Sequence, residues 1–434
     1  MKKKLLIYIV SLLPLALFAE DLEFNILGLD FDLGGDLRSR SAYWINPDLD
    51  KESSDSEFSS DIRGRLELKV TRDSPFYGKA LLEWGNIEWT DSPGSEEWLD
   101  LEFREFYVGF KNDKLKVKAG AIDLNTPGGY VYDSDEWGFQ VKYDFSLLEA
   151  KLFYTPADLT EGSNDSMEPG EYMDHLIFLG VTQDKYLDLD IWGMFYHGAT
   201  EEFTFNSFWF GTEGEKEIED FTLSGGYTYN VGNVVTYDIP LSSYYTHFSL
   251  EYEGDKRKTL FSRFNLTGGS EGSLDSTGQF QNPDGEGNLD TDLALLFGGG
   301  PYSSQSYFDK ESLSIVSDNL CEGDISFYDP GLFTYETGFE WDLKKILPLD
   351  METTFVLGGA NTGDLLRDGY FDSLIGWEGD IHNKIEITDD LEFNLSFAYL
   401  LPGNAFNAVY ELNYDDTLEL DTAFMASWEV KYSF

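Results

Sequence analysis

The chain has 434 residues and a formal net charge of −51 at pH 7, from 81 acidic residues against 30 lysines and arginines. Such an acidic chain is a poor partner for nucleic acid or anionic lipid headgroups, because like charges repel. Aromatic residues make up 16% of the sequence, which argues against the disorder typical of acidic chains with few aromatics.

The N-terminal residues have the pattern of an export signal. A basic segment, Lys2–Lys4, precedes an apolar stretch from Leu5 to Phe18, and Leu17-Phe18-Ala19 fits a cleavage site. The alternative is a membrane anchor, but this stretch is shorter than the roughly 20 residues that cross a bilayer. We therefore predict a signal peptide at residues 1–19 and one exported domain at 20–434. Later in the chain no long uncharged apolar run occurs, which excludes a helical membrane protein.

Apolar and polar residues alternate with a period of two along most of the remaining chain, which indicates β-strands. The pattern predicts about eighteen strands, with sixteen as the lower bound. Their approximate ranges are 30–45, 60–72, 78–90, 98–111, 115–123, 136–145, 149–156, 174–183, 187–198, 202–213, 218–231, 244–253, 259–269, 332–343, 351–361, 373–388, 391–401 and 421–434.

The connections between these strands differ in length and composition depending on whether they follow an even-numbered or an odd-numbered strand. Those after even-numbered strands are mostly short turns, such as Asn112-Asp113-Lys114 and Asp389-Asp390. Those after most odd-numbered strands are long, acidic and rich in Ser, Gly and Asp. This asymmetry is typical of an all-β, transmembrane, antiparallel up-and-down β-barrel of the bacterial outer membrane. Sixteen to eighteen strands would enclose a water-filled channel.

The last nine residues also favour an outer-membrane barrel. Ala426, Trp428, Val430, Tyr432 and Phe434 form an apolar set that alternates with polar residues. This segment resembles the closing strand of bacterial outer-membrane barrels, and the resemblance implies that assembly machinery reads the terminal aromatic residue.

One connection, residues 270–331, is much longer than the others. It contains the apolar run Leu293–Phe297 followed by three glycines, and such a run would be costly on an exposed surface. We expect a constriction loop folded into the lumen, and an extracellular hairpin or cap is the alternative. The acidic residues that this loop would bring to the constriction are Asp290, Asp292, Asp309 and Glu311.

Alternation also divides the side chains of each strand between two faces. In the second strand the apolar residues Ile62, Leu66 and Leu68 would face lipid, so the charged residues between them would face inward. A change of phase in the fourth strand predicts a bulge near Arg104 and Glu105. The predicted pore-lining bases are Arg38, Arg40, Arg63, Arg65, Lys69, Arg104, Lys116, Lys118, Lys142 and Lys151.

Two interpretations of this basic wall remain open and are compatible. Guanidinium and ammonium groups in a wet pore can bind carboxylate or phosphate groups, and loop acids opposite them would produce a transverse field. The bases could instead neutralise acidic neighbours on the same wall, namely Asp36, Glu67, Glu83, Asp100 and Glu102.

The segments 103–110, 115–120, Gly128-Gly129 and 138–143 resemble a hairpin of large outer-membrane porins, especially alginate-export-like eighteen-stranded channels. The resemblance covers about 45 residues. It implies a porin of that size.

Other chemistry has weaker support. His247-Phe248-Ser249, with Asn265 expected nearly opposite on the next strand, is similar to the His-x-Ser of outer-membrane phospholipases, but His247 and Ser249 should face the lumen. Residues 282–289 match part of a calcium loop, yet Leu293 replaces its final Glu. We therefore expect no enzymatic activity, no metal site and no cofactor.

The sequence as a whole predicts an outer-membrane channel for the passive diffusion of small hydrophilic solutes, including anionic ones. Its partners would be outer-membrane lipid and those solutes, with no nucleic acid. The alternative is a surface barrel with a plugged lumen, whose acidic loops act in adhesion or cation binding. The oligomeric state is left open.

Overall fold

The computed structural model describes residues 22–26, 29–46, 49, 51, 56–71, 75–88, 100–129, 131–156, 175–183, 188–199, 204–235, 239–254, 258–268, 291–297, 308–309, 314–315, 332–344, 350–362, 374–405 and 419–434. The predicted signal peptide, residues 1–19, lies outside them and stays a prediction. Within these ranges, no helix has the length and apolarity needed to cross a membrane.

Nearly all of the described chain is β-strand. The first eleven strands are β1 (Leu22–Ile26), β2 (Leu29–Ile45), β3 (Ser56–Thr71), β4 (Phe76–Glu88), β5 (Asp100–Lys111), β6 (Leu115–Asn125), β7 (Asp133–Asp144), β8 (Glu149–Thr155), β9 (His175–Gln183), β10 (Asp188–Ala199) and β11 (Thr204–Ile218). The others are β12 (Phe221–Val234), β13 (Ile239–Glu253), β14 (Lys258–Thr267), β15 (Phe308–Asp309), β16 (Ser314–Ile315), β17 (Leu332–Asp342), β18 (Asp350–Thr362), β19 (Leu374–Thr388), β20 (Leu391–Pro402) and β21 (Ala423–Ser433). Among the described residues, a short helix, α1, spans Ala294–Phe297, and a single 3-10 turn spans Pro127–Gly129.

Eighteen of these strands, β2 to β14 and β17 to β21, form a closed antiparallel barrel. Closure comes from β21, which pairs with β2 from Asp36↔Ser433 to Ile45↔Phe424. The predicted fold and all eighteen predicted strands are therefore confirmed. The short strand β1 was not predicted. It pairs with the first residues of β2, which do not pair with β21, from Leu22↔Leu33 to Ile26↔Leu29.

The two faces of the barrel differ in chemistry, as alternation predicts. On β5, Phe106 and Val108 are 56% and 70% exposed, whereas Glu105 is buried on the opposite face. Similarly on β19, Trp377 is exposed and its neighbour Glu378 is buried. The exposed apolar face is the one that a bilayer can cover, so the charged face points into the barrel.

The predicted bulge in the fourth predicted strand, β5, is confirmed. The register with β4 shifts from Leu81↔Glu105 to Leu82↔Phe103, which leaves Arg104 without an opposite residue. The extra residue restores the alternation of apolar side chains on the outer face after Phe103.

The backbone conformation of Gly120 on β6 can be tested by substitution. Its φ is +137°, and a Cβ added there would lie 2.2 Å from the carbonyl oxygen of Phe106. We expect Gly120→Ala to lower the free energy of unfolding by about 2 kcal/mol or more, because both strain and a clash result. Urea unfolding in phospholipid vesicles, followed by tryptophan fluorescence, would measure this.

The matched control is Gly379→Ala on β19, where the nearest atom to an added Cβ is 3.9 Å away. That change should stay within about 0.5 kcal/mol of the parent protein. Equal losses in both variants would contradict the assigned strain.

Candidate functional site

Four arginines form a single cluster on the inner face of β2 and β3. Arg38 lies directly opposite Arg63 in the register of the two strands, and Arg40 and Arg65 flank this pair. Their side chains are only 12–30% exposed. Like charges placed this close repel each other, so the cluster requires compensation by acids or by an anion.

Four carboxylates supply the compensation. Asp61 accepts two bonds from Arg40, at 2.9 Å from Nε and 2.7 Å from Nη2, a two-pronged arrangement that holds a guanidinium rigidly. Glu83 contacts both Arg63 and Arg65. Asp36 lies 3.5 Å from Arg63, and Glu429 of the closing strand lies 3.8 Å from Arg38. The arginine cluster is therefore close to neutral as a unit.

A second basic group is less compensated. Lys111 lies opposite Lys116, Lys116 opposite Lys142, and Lys142 opposite Lys151, which places four lysines in one row across β5 to β8. Within the part of the chain that the structure describes, the row has one ion pair, between Lys142 and Glu149 at 3.4 Å. We call these four residues the lysine row. Because directly opposite like charges are unfavourable, the row favours an anion beside it.

Three other predicted pore-lining bases, Lys118, Lys69 and Arg104, have contacts outside the arginine cluster and the lysine row. The ammonium of Lys118 sits 4.8 Å above the ring of Tyr107, close to the lysine row. Lys69 contacts Glu67, which also accepts from Lys79 at 2.8 Å. Arg104 is separate from both groups, and its Nε lies 3.2 Å from Asp135 at the bulge.

Aromatic side chains continue the inner wall beyond the lysine row. The rings of Tyr132, Phe153, Phe178 and Trp192 stack in sequence, with centroids 6.0, 4.7 and 5.9 Å apart. The ammonium of Lys151 lies 5.5 and 5.4 Å from the two phenylalanine rings and donates to the carbonyl of Asn125 at 2.6 Å. These buried rings hold one end of the lysine row in place.

On the far side of the barrel, residues 291–297 lie against the inner face, and we call them the inserted segment. Leu293, Leu295 and Leu296 are fully buried. The segment contacts four residues of the wall, which we call the anchor residues: Arg263, Glu336, Glu378 and His382.

Of the predicted loop acids, Asp292 alone has a described side chain. It lies 2.9 Å from Arg263 on β14 and makes no described contact with the bases of β2 to β8. Asp309 belongs to the two-residue strand β15, while Asp290 and Glu311 lie outside the described residues. Their role at a constriction stays a prediction.

The residues considered for catalysis do not form a relay. Asn265 is opposite His247, as predicted, but it accepts from Tyr245 at 2.8 Å and donates to Thr334 at 3.0 Å. The ring of His247 contacts Glu213 at 2.6 Å, across Gly226, where an added Cβ would clash with that carboxylate. Ser249 bonds Ser224. The nucleophile and the base are thus engaged with different partners.

Sequence reasoning missed several residues of the inner wall. Lys111 could have been found, because a three-residue turn after it sets it opposite Lys116. Asp61 and Glu429 depend on neighbours in the barrel and had no local signal. The anchor residues had none either, since nothing in the residues around them indicates a contact with a segment remote in sequence.

No protein-family model matches the chain, and no curated protein matches it. Solved structures do. The OccK8 (OprE) structure of Pseudomonas aeruginosa has a TM-score of 0.54 and 12% identity, covering 93% of this chain and 98% of that one. The outer membrane protein OprD of the same organism has a TM-score of 0.53 and 12% identity, covering 93% of each chain. OpdK of that organism, solved with vanillate, has a TM-score of 0.53 and 10% identity, covering 93% and 98%.

These similarities concern the fold. They support the predicted eighteen-stranded antiparallel barrel. The closer resemblance to alginate-export-like channels stays a prediction.

The compensation of the arginine cluster can be tested at Glu83, which serves two arginines. Glu83→Gln should lower the free energy of unfolding by about 2 kcal/mol, because two partly buried guanidinium groups lose a charged partner. Urea unfolding in vesicles would measure the loss. Glu102→Gln is the control, since Glu102 is half exposed and lies 3.5 Å from Arg104. Its effect should be below about 0.5 kcal/mol, and comparable losses would contradict the assignment.

Proposed function

We propose that the protein is a porin, a passive channel for small hydrophilic solutes in the bacterial outer membrane. The observation that carries this proposal is a closed eighteen-stranded barrel whose inner face is charged and whose outer face is apolar. A barrel of this size has more room inside than its own side chains fill. Charged groups on the inner wall keep such a space wet, and small polar solutes can then diffuse through it.

The preferred solutes are anions, and the lysine row supports this part of the proposal. The arginine cluster has four acids within 4 Å of its guanidinium groups. Its net charge is therefore close to zero, and it attracts a distant anion only weakly. The lysine row has a single described ion pair, and Asp123 and Asp190 act on Lys151 from farther away, so its ammonium groups are less closely paired than the guanidinium groups of the arginine cluster. A carboxylate or phosphate passing the wall would pair with these ammonium groups.

Small carboxylates fit this wall better than uronate polymers. Vanillate, present in the OpdK structure, is an aromatic carboxylate, and an anion of this size could pair with two neighbouring lysines. The resemblance to alginate-export-like channels would require a basic or amide residue soon after Gly120. Ala121 and Ile122 stand there instead.

The other candidate function is adhesion or cation binding at the cell surface. The burial of Leu293, Leu295 and Leu296 inside the barrel is the observation that favours a filled lumen. Single-channel recording of the purified protein in planar bilayers separates the two candidates. Discrete conductance steps are expected of a porin, whereas a silent bilayer with correctly folded protein would overturn the channel and favour the adhesin.

Selectivity gives a sharper prediction. Replacing Lys116, Lys142 and Lys151 by Gln should shift the reversal potential toward cations under a salt gradient, because the lysine row loses its excess charge. The shift should be largest near 0.01 M salt, where the Debye length of about 30 Å spans the lumen. Replacing Arg38, Arg40, Arg63 and Arg65 by Gln should shift it in the same direction, since four acids then lose their partners.

The matched control for these changes is Lys344→Gln. Lys344 is 61% exposed in a turn after β17 and is paired with Asp350. Loss of this charge should leave the reversal potential close to that of the parent. If neither group of substitutions moves the reversal potential at low salt, the preference for anions is wrong, even if the protein conducts.

A further inference from the structure

The inserted segment is held to the barrel wall mainly through its backbone. The carboxylate of Glu378 accepts the N–H of Leu295 at 2.5 Å and that of Leu296 at 2.8 Å. Helix α1 begins at Ala294, so these two N–H groups belong to its first turn and have no partner within the helix. Glu378 therefore caps α1 from a different element of the fold.

A second carboxylate fixes the start of the segment. Glu336 on β17 accepts from the hydroxyl of Thr291 at 2.7 Å and from the N–H of Asp292 at 3.1 Å. Its other oxygen accepts from Arg263 at 2.9 Å, and Arg263 also contacts the Asp292 side chain. The start of the segment is thus tied to β14 and β17, and the first turn of α1 is tied to β19.

His382 completes the attachment. Its Nε2 lies 2.9 Å from the carbonyl oxygen of Asp292, and a carbonyl can only accept, so Nε2 donates. The other ring nitrogen lies 2.8 Å from the Ser396 hydroxyl, which orients the ring. The wall also makes room for the segment at Gly358, where an added Cβ would lie 3.0 Å from Leu293 Cδ1.

Segment and wall depend on each other energetically. Glu336 and Glu378 are 4% and 1% exposed, and buried carboxylates are costly unless donors satisfy them. The inserted segment brings four of these donors, the hydroxyl of Thr291 and the N–H groups of Asp292, Leu295 and Leu296. This is a built attachment, unlike a loop that merely rests on the wall.

We propose that Glu378 and Glu336 are the positioning residues that fix the inserted segment inside the barrel and thereby set the width of the channel. The proposal deepens the proposed function and rests on it for the conductance readout. The two carboxylates act through the backbone of the segment and need not contact the solute. Loss of either attachment allows the segment to leave the wall, which widens the passage.

Glu378→Gln is the direct test. It keeps the shape of the side chain, but an amide NH2 group replaces one of the two acceptor oxygens and cannot accept the backbone N–H that faces it. Conductance in planar bilayers should rise about twofold, with added transitions between levels as the segment moves. Glu336→Gln should have the same direction. Glu392→Gln is the control, since it removes a carboxylate near Lys384 without contact to the segment, and its conductance should match the parent.

A second measurement does not depend on conduction. Leu295→Cys in a Cys321→Ser background places a thiol at a fully buried position of the segment. A small methanethiosulfonate reagent should label it slowly when Glu378 is present and about tenfold faster in the Glu378→Gln variant, as expected from loss of one charged hydrogen bond. Heat-modifiable mobility on gels would verify that each variant has a folded barrel.

The outcomes separate the two proposals. Faster labelling without conductance steps in any variant would keep the positioning role and overturn the channel. Conductance steps that Glu378→Gln and Glu336→Gln leave unchanged, together with unchanged labelling, would overturn the positioning role and keep the channel. Rapid labelling with Glu378 intact would also overturn it, because the segment would then not be held.

Discussion

The pairing of β21 with β2 is the interaction on which the rest of the structure depends. It joins the last barrel strand to the first and removes both free edges of the sheet. A free edge would present unpaired N–H and C=O groups, which are costly inside a bilayer where no water can satisfy them. Closure also produces an inside and an outside, and every later feature, from the arginine cluster to the inserted segment, uses that distinction.

The inner wall shows how a closed barrel manages charge. Its arginines are compensated by acids on neighbouring strands, and one of these acids, Glu429, arrives only through closure, since it lies on β21 beside Arg38 of β2. The lysine row differs from this cluster, because its one described ion pair is with Glu149 and the other acids acting on it, Asp123 and Asp190, lie farther from Lys151. A neutral cluster stabilises the wall, whereas we propose that the less closely paired row provides a place for a passing anion. The same residue classes therefore serve structure in one group and, as we propose, selectivity in the other.

The inserted segment depends on both apolar packing and polar satisfaction. Its three buried leucines gain from leaving water, at about 1.5–3 kcal/mol for each side chain. Yet the wall beneath them holds two buried carboxylates, which would be unfavourable if the backbone of the segment did not donate to them. Burial of the leucines and hydrogen bonding to the carboxylates therefore act together to fix a short segment inside a wide barrel.

The sequence by itself determined the strands and their class. Side chains alternate with a period of two in any strand, so the eighteen barrel strands, the two faces and the bulge at Arg104 could all be read from local pattern. The parity of loop lengths likewise indicated an up-and-down barrel before any contact was known. These features are encoded within short stretches of chain, where backbone geometry alone links the residue order to the structure.

The tertiary structure decided which charges meet. The partners of Arg38 and Arg40 include Asp61 and Glu429, and the second of these is remote in sequence and has no local mark. Nor did the sequence connect Leu295 with Glu378, because a backbone N–H is the same in every residue and carries no residue-specific signal. Strand β1 was not predicted either, because five residues are too few for an alternating pattern to be recognised. Contacts of this kind follow from register, closure and loop placement, which single residues do not specify.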